Sequence, residues 1–320
     1  MTLTELKYVI AVARERHFGR AAESCFVSQP SLSVAIKKLE DELGVQIFER
    51  RTSDIALTPI GSAIVEQAQR VIDESRKIYD VAMLGQDPLA GPMRIGVIYT
   101  VAPYLLPGLV REMNQVCTKM PIYLQENYTA ELINQLRNGQ IDVGIMADTI
   151  HDTGFFCQAL YQEDFVVAVP THHPWVNRNY VSTHELSDQT MLLLGSGHCF
   201  RDQILEVCPE LTRLNSMATG TSPSESHRMV EGSSLQTICH MVSQGLGITV
   251  LPSSAVPFLA SNEHCPLKII PFKAPVPHRK VMMVWRKSFT RLEAVKALID
   301  AVKKVPLNGC FFLDSQIEPL

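Results

Sequence analysis

Ser28-Gln-Pro-Ser-Leu-Ser-Val-Ala-Ile-Lys-Lys-Leu-Glu40 carries the punctuation of a helix start together with a single apolar stripe. Ser28 suits an N-cap, because its hydroxyl can accept from a free amide of the first turn, and Pro30 fits that turn because its missing N–H is not needed there. Leu32, Ile36 and Leu39 recur at helical spacing and give the helix one face to bury. Gln29, Ser31, Ser33 and Lys37 fall on the other faces. Short polar donors at a helix start followed by a lysine fit a helix that reads base edges in a major groove. A plain amphipathic surface helix fits the same residues, and the pattern alone does not choose between the two.

The neighbouring segments extend the first reading. Residues 3–16 predict a helix with Leu3, Leu6, Val9, Ile10 and Ala13 on one side, and Phe18 to Ser24 a short second helix whose Ala21-Ala22 permits close packing. Gly44 ends the quoted helix, and Val45 to Pro59 reads as two short strands around a polar turn, a wing. From Ser62 to Leu84, Ile64, Ala68, Val71, Ser75, Ile78 and Ala82 alternate spacings of four and three. That is the repeat of about 3.5 residues of a helix packing lengthwise on a partner, so dimerisation is expected. Gly85-Gln-Asp-Pro-Leu-Ala-Gly-Pro92 then breaks the helix with linker composition.

Beyond the linker the chain alternates. Met93 to Tyr99, Ile122 to Tyr128 and Val143 to Ala147 read as strands, separated by helices at Tyr104 to Cys117 and Ala130 to Asn138. This β-α-β-α-β order predicts a parallel, doubly wound sheet. A second series follows, with strands at Phe165 to Val169 and Gly247 to Leu251 and helices at Leu235 to Ser243 and 291–304. Ser233 with Gln236, and Thr290 with Glu293, are expected capping boxes. Two such halves imply a cleft at the carboxyl ends of their strands, where Thr100 and Thr129 stand at strand-to-helix junctions.

Composition bounds the function. A chain of 320 residues with 46% hydrophobic residues has room for two domains or more and a real core. Net charge is −4, and residues 1–58 carry eight basic and eight acidic side chains, so any DNA contact is local and oligomerisation must add to it. No signal-peptide pattern or long apolar run is present, and eight cysteines in such a chain point to the reducing cytosol, where a disulfide is transient. There is no HExxH, P-loop or CxxC, and Gly195-Ser-Gly197 lacks the third glycine of a dinucleotide fingerprint. His172-His173, Cys239-His240 and His264-Cys265 show no paired ligand spacing. Neither a metal nor a cofactor is expected.

One stretch bears reactive chemistry: Gly195-Ser-Gly-His198-Cys199-Phe-Arg201-Asp202-Gln-Ile-Leu-Glu-Val-Cys208. A thiol reacts as its thiolate, which nearby positive charge favours, so Arg201 and His198 are candidates to activate Cys199. If Cys199 to Cys208 is unbroken helix, a rise of about 1.5 Å per residue holds the Cα atoms roughly 13 Å apart. A disulfide needs about 4.4–6.8 Å, so the pair bonds only by melting the segment. The plain alternative is that both cysteines are small buried hydrophobes.

Phe18-Gly-Arg-Ala-Ala-Glu-Ser24, Ser28-Gln-Pro-Ser-Leu-Ser33 and Leu39-Glu-Asp-Glu-Leu-Gly-Val-Gln-Ile-Phe-Glu-Arg50 together resemble the DNA-binding half of LysR-type transcriptional regulators, and the likeness extends to about residue 304. Gly197 to Gln203, with Cys208 behind it, resembles the peroxide-sensing branch of that family. The resemblance implies a winged helix-turn-helix over residues 1–60, a dimerising linker helix at 61–84 and a hinge at 85–92. It further implies an α/β regulatory part like a periplasmic binding protein, with two doubly wound subdomains, 93–161 with 267–304 and 162–266, and a loose tail at 305–320. It makes Cys199 the peroxidatic and Cys208 the resolving cysteine. Thr100, Thr129, His198, Arg201 and Asp202 are placed around the peroxide, with Arg201 steadying the thiolate and Asp202 orienting Arg201 or capping the helix.

On the DNA side it assigns Gln29, Pro30, Ser31, Ser33 and Lys37, with Arg50 of the wing on phosphate. The implied partners are double-stranded promoter DNA, other copies of the chain in a dimer of dimers, RNA polymerase, hydrogen peroxide as signal, and a thiol reductant such as glutaredoxin for the reset. Two features depart from the family's pattern: the serine-rich stretch from Pro209 to Ser234 and the residues after Val305 are longer than expected. Two rival readings remain: a regulator of this fold that answers to a small-molecule effector in the cleft, and a turnover thiol peroxidase, which leaves the first 85 residues without a role.

Overall fold

Thr2 opens the first helix, α1 (Leu3–Glu15), with a capping box: its hydroxyl accepts from the Glu5 amide, and the Glu5 carboxylate accepts back from the Thr2 amide. His17 caps α2 (Phe18–Ser24), its Nδ1 accepting from Gly19 at 3.0 Å. Ser28 caps α3 (Gln29–Leu43) with Pro30 in the first turn, and the helix closes at Gly44, as the sequence predicts. The Leu32, Ile36 and Leu39 stripe packs into a core with Leu6, Val9, Val12, Ala21, Ala22 and Ile47. The wing is an antiparallel pair, β1 (Phe48–Arg50) and β2 (Ile55–Leu57). Glu40 ties it to α3 by accepting from the amides of Ile47 and Phe48 at 2.7 and 3.2 Å.

The computed structural model describes residues 1–50, 55–84, 87, 89–147, 152–211, 230–260, 265–313 and 318–319, and resolves two units, one mainly Met1–Pro88 and one mainly Leu89–Leu320. The tip of the wing, most of the serine-rich stretch after Cys208, His264 and part of the linker and tail therefore lie outside the described residues.

Phe26, between α2 and α3, holds a left-handed φ of 57° with its ring 95% exposed. A side chain in that conformation costs about 1–2 kcal/mol, least for asparagine, whose short polar side chain bonds locally. Phe26→Asn is therefore expected to raise stability in urea unfolding by about 0.5–1 kcal/mol, because no burial is lost.

The long helix α4 (Pro59–Leu84) contains the repeat read from the sequence, but its front half is used within its own unit. Ala68 and Ile72 are buried against the α1–α3 core, whereas Ile78 is 71% exposed. Among the described residues Ile60, at the start of the helix, is exposed as well; the side chain of Ala82 lies outside the described residues.

In the second unit β3 (Met93–Ile98), α5 (Ala102–Val116), β4 (Ile122–Asn127), α6 (Thr129–Arg137) and β5 (Val143–Met146) follow the expected alternation, and β3 pairs in parallel with both β4 and β5. The sheet then becomes mixed. β6 (Phe155–Pro170) is a 16-residue strand that pairs antiparallel with a later strand, β11 (His278–Arg286), in a register that sets Arg279 opposite Glu163.

The C-terminal half of β6 receives β9 (Thr249–Pro252) and β10 (Leu267–Pro271), both antiparallel. β10 thus groups with the second set of strands rather than the first. That set includes β7 (Leu192–Leu194), the thiol helix α7 (Cys199–Val207), β8 (Val230–Gly232) parallel to β7, α8 (Leu235–Ser243) and α9 (Val256–Ala260). The cap of α8 is Ser234, accepting from Thr237 at 3.1 Å, one residue after the expected Ser233.

The last helix, α10 (Leu292–Lys304), packs on α5. Residues 305–320, expected as a loose tail, form β12 (Cys310–Phe312) and β13 (Glu318–Pro319), both antiparallel to β6. The physical reason is an edge: the first half of β6 has backbone groups on the side away from β11, and the tail takes them up.

Candidate functional site

The chain leaves β7 through Gly195-Ser-Gly197, and Gly197 makes the turn with φ 95° beside the Tyr128 ring, which a Cβ there would meet at 3.4 Å. His198 takes the N-cap position, so Cys199 is the first helical residue of α7. The free amides of a helix start carry partial positive charge and favour a thiolate there. Cys199 is itself buried.

Beside its sulfur lies a cavity of about 10 Å³, bounded by Thr100, Asn127, Thr129, Gly197 and His198 and by the rings of Tyr99 and Tyr128. That volume holds one water-sized guest. Thr100 and Thr129 reach it from the junctions after β3 and β4, the strand-to-helix positions marked in the sequence. The Thr129 hydroxyl and His198 Nε2 are buried without a hydrogen-bond partner. Buried polar atoms are normally paired, so these two are positioned for a small polar guest.

His198 packs edge-on against Tyr128 and Tyr99, with centroids 4.8 and 5.8 Å away. Burial pushes its pKa below the ordinary value, against a smaller upward pull from the Ser233 backbone. The imidazole is therefore neutral at pH 7 and is not the cation that activates Cys199. In the unfolded chain it protonates near its usual value of about 6.5, and the native state then binds fewer protons. Its stabilising share is present above that pH and is lost as pH falls below it. His173 is shifted the same way, first by burial. Acid titration of unfolding is expected to show stability falling below about pH 6.5, with a smaller slope in His198→Gln.

Arg201 and Asp202 are not brought to the cavity. Arg201 Nη2 lies 2.8 Å from Glu231 Oε1 of β8, and Asp202 is exposed on the first turn of α7, so the expected pairing of Asp202 with Arg201 gives way to Glu231. Arg279 is a cation whose charge acts on Cys199. Its Nε and Nη2 each lie 2.8 Å from Glu163 Oε2, Nη1 donates to Thr100 Oγ1 at 2.8 Å and Nη2 to the Thr100 carbonyl at 2.9 Å. The guanidinium also sits 5.0 Å from the Phe200 ring centroid.

Burial opposes its charge, but Glu163, followed by Tyr161 and Cys199, holds its pKa above the ordinary value. Sequence reading passed over Arg279 because it stands 80 positions from Cys199. A signal was available: it alternates with the core residues Val281 and Met283, so it lies on the inward face of its strand.

Cys208 closes the far end of α7. Its thiol donates to the Thr183 carbonyl at 3.2 Å among core side chains, and burial pushes its pKa up to about 11. The helix between the cysteines is continuous, which keeps their Cα atoms roughly 13 Å apart, and no disulfide joins them.

A second cavity of about 340 Å³ shares Tyr99, Thr100 and His198 and reaches Tyr104, Cys239 and Phe258. Burial, then the charge of Cys265, pushes Cys239 up to about 12. In the first unit, Gln29, Pro30, Ser31 and Lys37 are exposed on α3 and Ser33 is half-buried; the side chain of Arg50 lies outside the described residues. Among the described residues no three metal-binding side chains are grouped for an ion, and no helix is long and apolar enough to cross a membrane.

Two family descriptions match the chain: "Bacterial regulatory helix-turn-helix protein, lysR family" over residues 3–62 and "LysR substrate binding domain" over residues 86–306. The "Hydrogen peroxide-inducible genes activator" of Dickeya chrysanthemi is 36% identical over 304 residues, 95% of each chain. The "DNA-binding transcriptional dual regulator OxyR" of Escherichia coli is 35% identical over 303 residues, again 95% of each. Among solved structures, a full-length OxyR variant from Pseudomonas aeruginosa superposes with a TM-score of 0.77 at 44% identity, covering 96% of this chain and 99% of that one. A reduced form of OxyR from N. meningitidis gives 0.62 at 37% identity, covering 69% and 99%.

Proposed function

Because the chain belongs to the LysR family of bacterial helix-turn-helix regulators, we propose that it is a peroxide-sensing transcription regulator whose input is the Cys199 and Cys208 pair. It is a DNA-binding regulator and not an enzyme. It works in the cytoplasm on double-stranded promoter DNA as a dimer of dimers and engages RNA polymerase. Gln29, Pro30, Ser31, Ser33 and Lys37 of α3 read the site, and Arg50 touches phosphate.

The Cys199 thiolate attacks one peroxide oxygen. The O–O bond breaks, that oxygen stays on sulfur as sulfenic acid, and the other leaves as water once protonated. The Cys208 thiol then displaces the hydroxyl as a second water and forms the disulfide, so two thiols are oxidised as one peroxide is reduced. Thr100, Thr129 and His198 hold the peroxide and Arg279 steadies the thiolate. Arg201 and Asp202 serve from the rim, where Arg201 fastens the start of α7 to Glu231. A thiol reductant such as glutaredoxin resets the pair.

The observation that carries this reading is the small recess of about 10 Å³ lined by Cys199, with two unpaired polar atoms in its wall. One equivalent of peroxide, followed by thiol mapping, is expected to give a Cys199 to Cys208 link; thiols left unlinked would overturn it. The 340 Å³ cavity favours a second reading, an effector-responsive regulator. Cys199→Ser separates the two, because regulation survives it only under the second.

A further inference from the structure

The strand after α10 reaches the buried pair that serves Cys199. β12 lies along β6 with Cys310 opposite Glu163, Phe311 opposite Gln162 and Phe312 opposite Tyr161. Three contacts pin its approach: Ser253 Oγ donates to the Gly309 carbonyl at 3.0 Å, Asn308 Nδ2 donates to the Ser253 carbonyl at 3.2 Å, and the Asp164 amide donates to the Gly309 carbonyl at 3.3 Å. Leu313 adds a bond from its amide to the Leu160 carbonyl at 2.9 Å, and the Phe312 ring meets Tyr161 edge-on at 5.9 Å. Gly309 holds φ 63°, and a Cβ there would stand 2.4 Å from Ser253 Oγ, so this approach accepts glycine alone.

Behind the strand, Glu163 is 0% exposed and Arg279 1% exposed. Glu163 spends one oxygen on Arg279 and the other on the Ser254 amide at 3.0 Å. Removing β12 uncovers the β6 edge at Glu163. Water then competes for the carboxylate, and the guanidinium loses the anchor that holds it on Thr100 and over Phe200, next to Cys199 in sequence.

We propose that the segment Asn308–Leu313 is a positioning element of the redox centre, which keeps the Glu163–Arg279 pair dry and so holds the guanidinium where it favours the Cys199 thiolate. The inference rests on the peroxide reading above. It assigns a role to residues after Val305, and makes them part of the sensor's speed rather than its DNA binding.

The test uses the full-length protein, a form ending at Leu307, and Gly309→Val, which undocks the strand without deleting it. The second-order rate of Cys199 oxidation by hydrogen peroxide is followed across pH, alongside operator binding by the reduced form. Both altered forms are expected to react about tenfold more slowly at pH 7, with the midpoint of the pH–rate curve displaced upward by about one unit and operator affinity unchanged. Gly309→Ala is expected to show the same defect, and adding Ser253→Gly, which vacates the clashing atoms, to recover part of the rate. A truncated and a Gly309→Val protein that keep the parent's rate and pH midpoint overturn the inference while leaving the peroxide reading intact. A parent protein that forms no Cys199 to Cys208 link overturns both. If the truncated form does not fold, Gly309→Val, together with Gly309→Ala and its rescue by Ser253→Gly, decides the matter.

Discussion

Arg279→Ala is expected to remove about 3–5 kcal/mol of folding stability and, with it, most of the peroxide reactivity of Cys199. Both members of the pair are at most 1% exposed, so deleting the guanidinium strands the Glu163 carboxylate in the core beside the Ser254 amide and the Cys310 thiol, neither of which carries a compensating charge. The cost is the uncompensated charge and not the value of the ion pair itself, because two buried charges pay heavily in lost hydration. A double replacement, Glu163→Leu with Arg279→Met, is accordingly expected to regain much of the stability in denaturant unfolding. It should not regain the rate, since the replacement at position 279 carries no positive charge. A rate for Arg279→Ala equal to that of the parent would remove Arg279 from the mechanism.

The second large effect concerns α7. Linking cysteines whose Cα atoms stand roughly 13 Å apart demands that the intervening helix unwind. One equivalent of peroxide is expected to accelerate amide hydrogen exchange of residues 203–207 roughly a hundredfold or more, as those helical bonds open. Cys199→Ser should leave exchange unchanged at the same dose. Persistence of slow exchange in a protein shown to be oxidised would mean that the disulfide forms without refolding.

The residues that made the fold legible were those whose signals are local. Ser28, Pro30, Gly44 and the Leu32, Ile36 and Leu39 stripe define α3 within 17 positions, and the two preceding helices and the wing carry local signals of their own. The strand-helix order from Met93 to Met146 likewise declared its parallel pairing. Thr100 and Thr129 were readable at strand-to-helix junctions and Cys199 beside His198 in one stretch, while their grouping around a peroxide came from the family resemblance. What stayed hidden depends on strand register. Glu163 and Arg279 lie 116 positions apart and meet because β6 and β11 pair antiparallel, which no nearby residue announces. The tail was opaque for the same reason: Cys310 to Phe312 has no period of its own and becomes a strand only against β6. Arg201 misled because adjacency in sequence suggested adjacency of charge, whereas the first turn of α7 directs it to Glu231.

The seat of Cys208 sets the electrochemistry of the pair. In the dithiol state it is 0% exposed, fills a packed core and donates to Thr183. Oxidation has to extract it and leave the core short of a side chain, at about 1–2 kcal/mol for a group this small. For a two-electron couple, where about 1.4 kcal/mol corresponds to about 30 mV, that cost alone raises the reduction potential by about 20–40 mV. The oxidised protein is thus tilted toward electron uptake by its own interior.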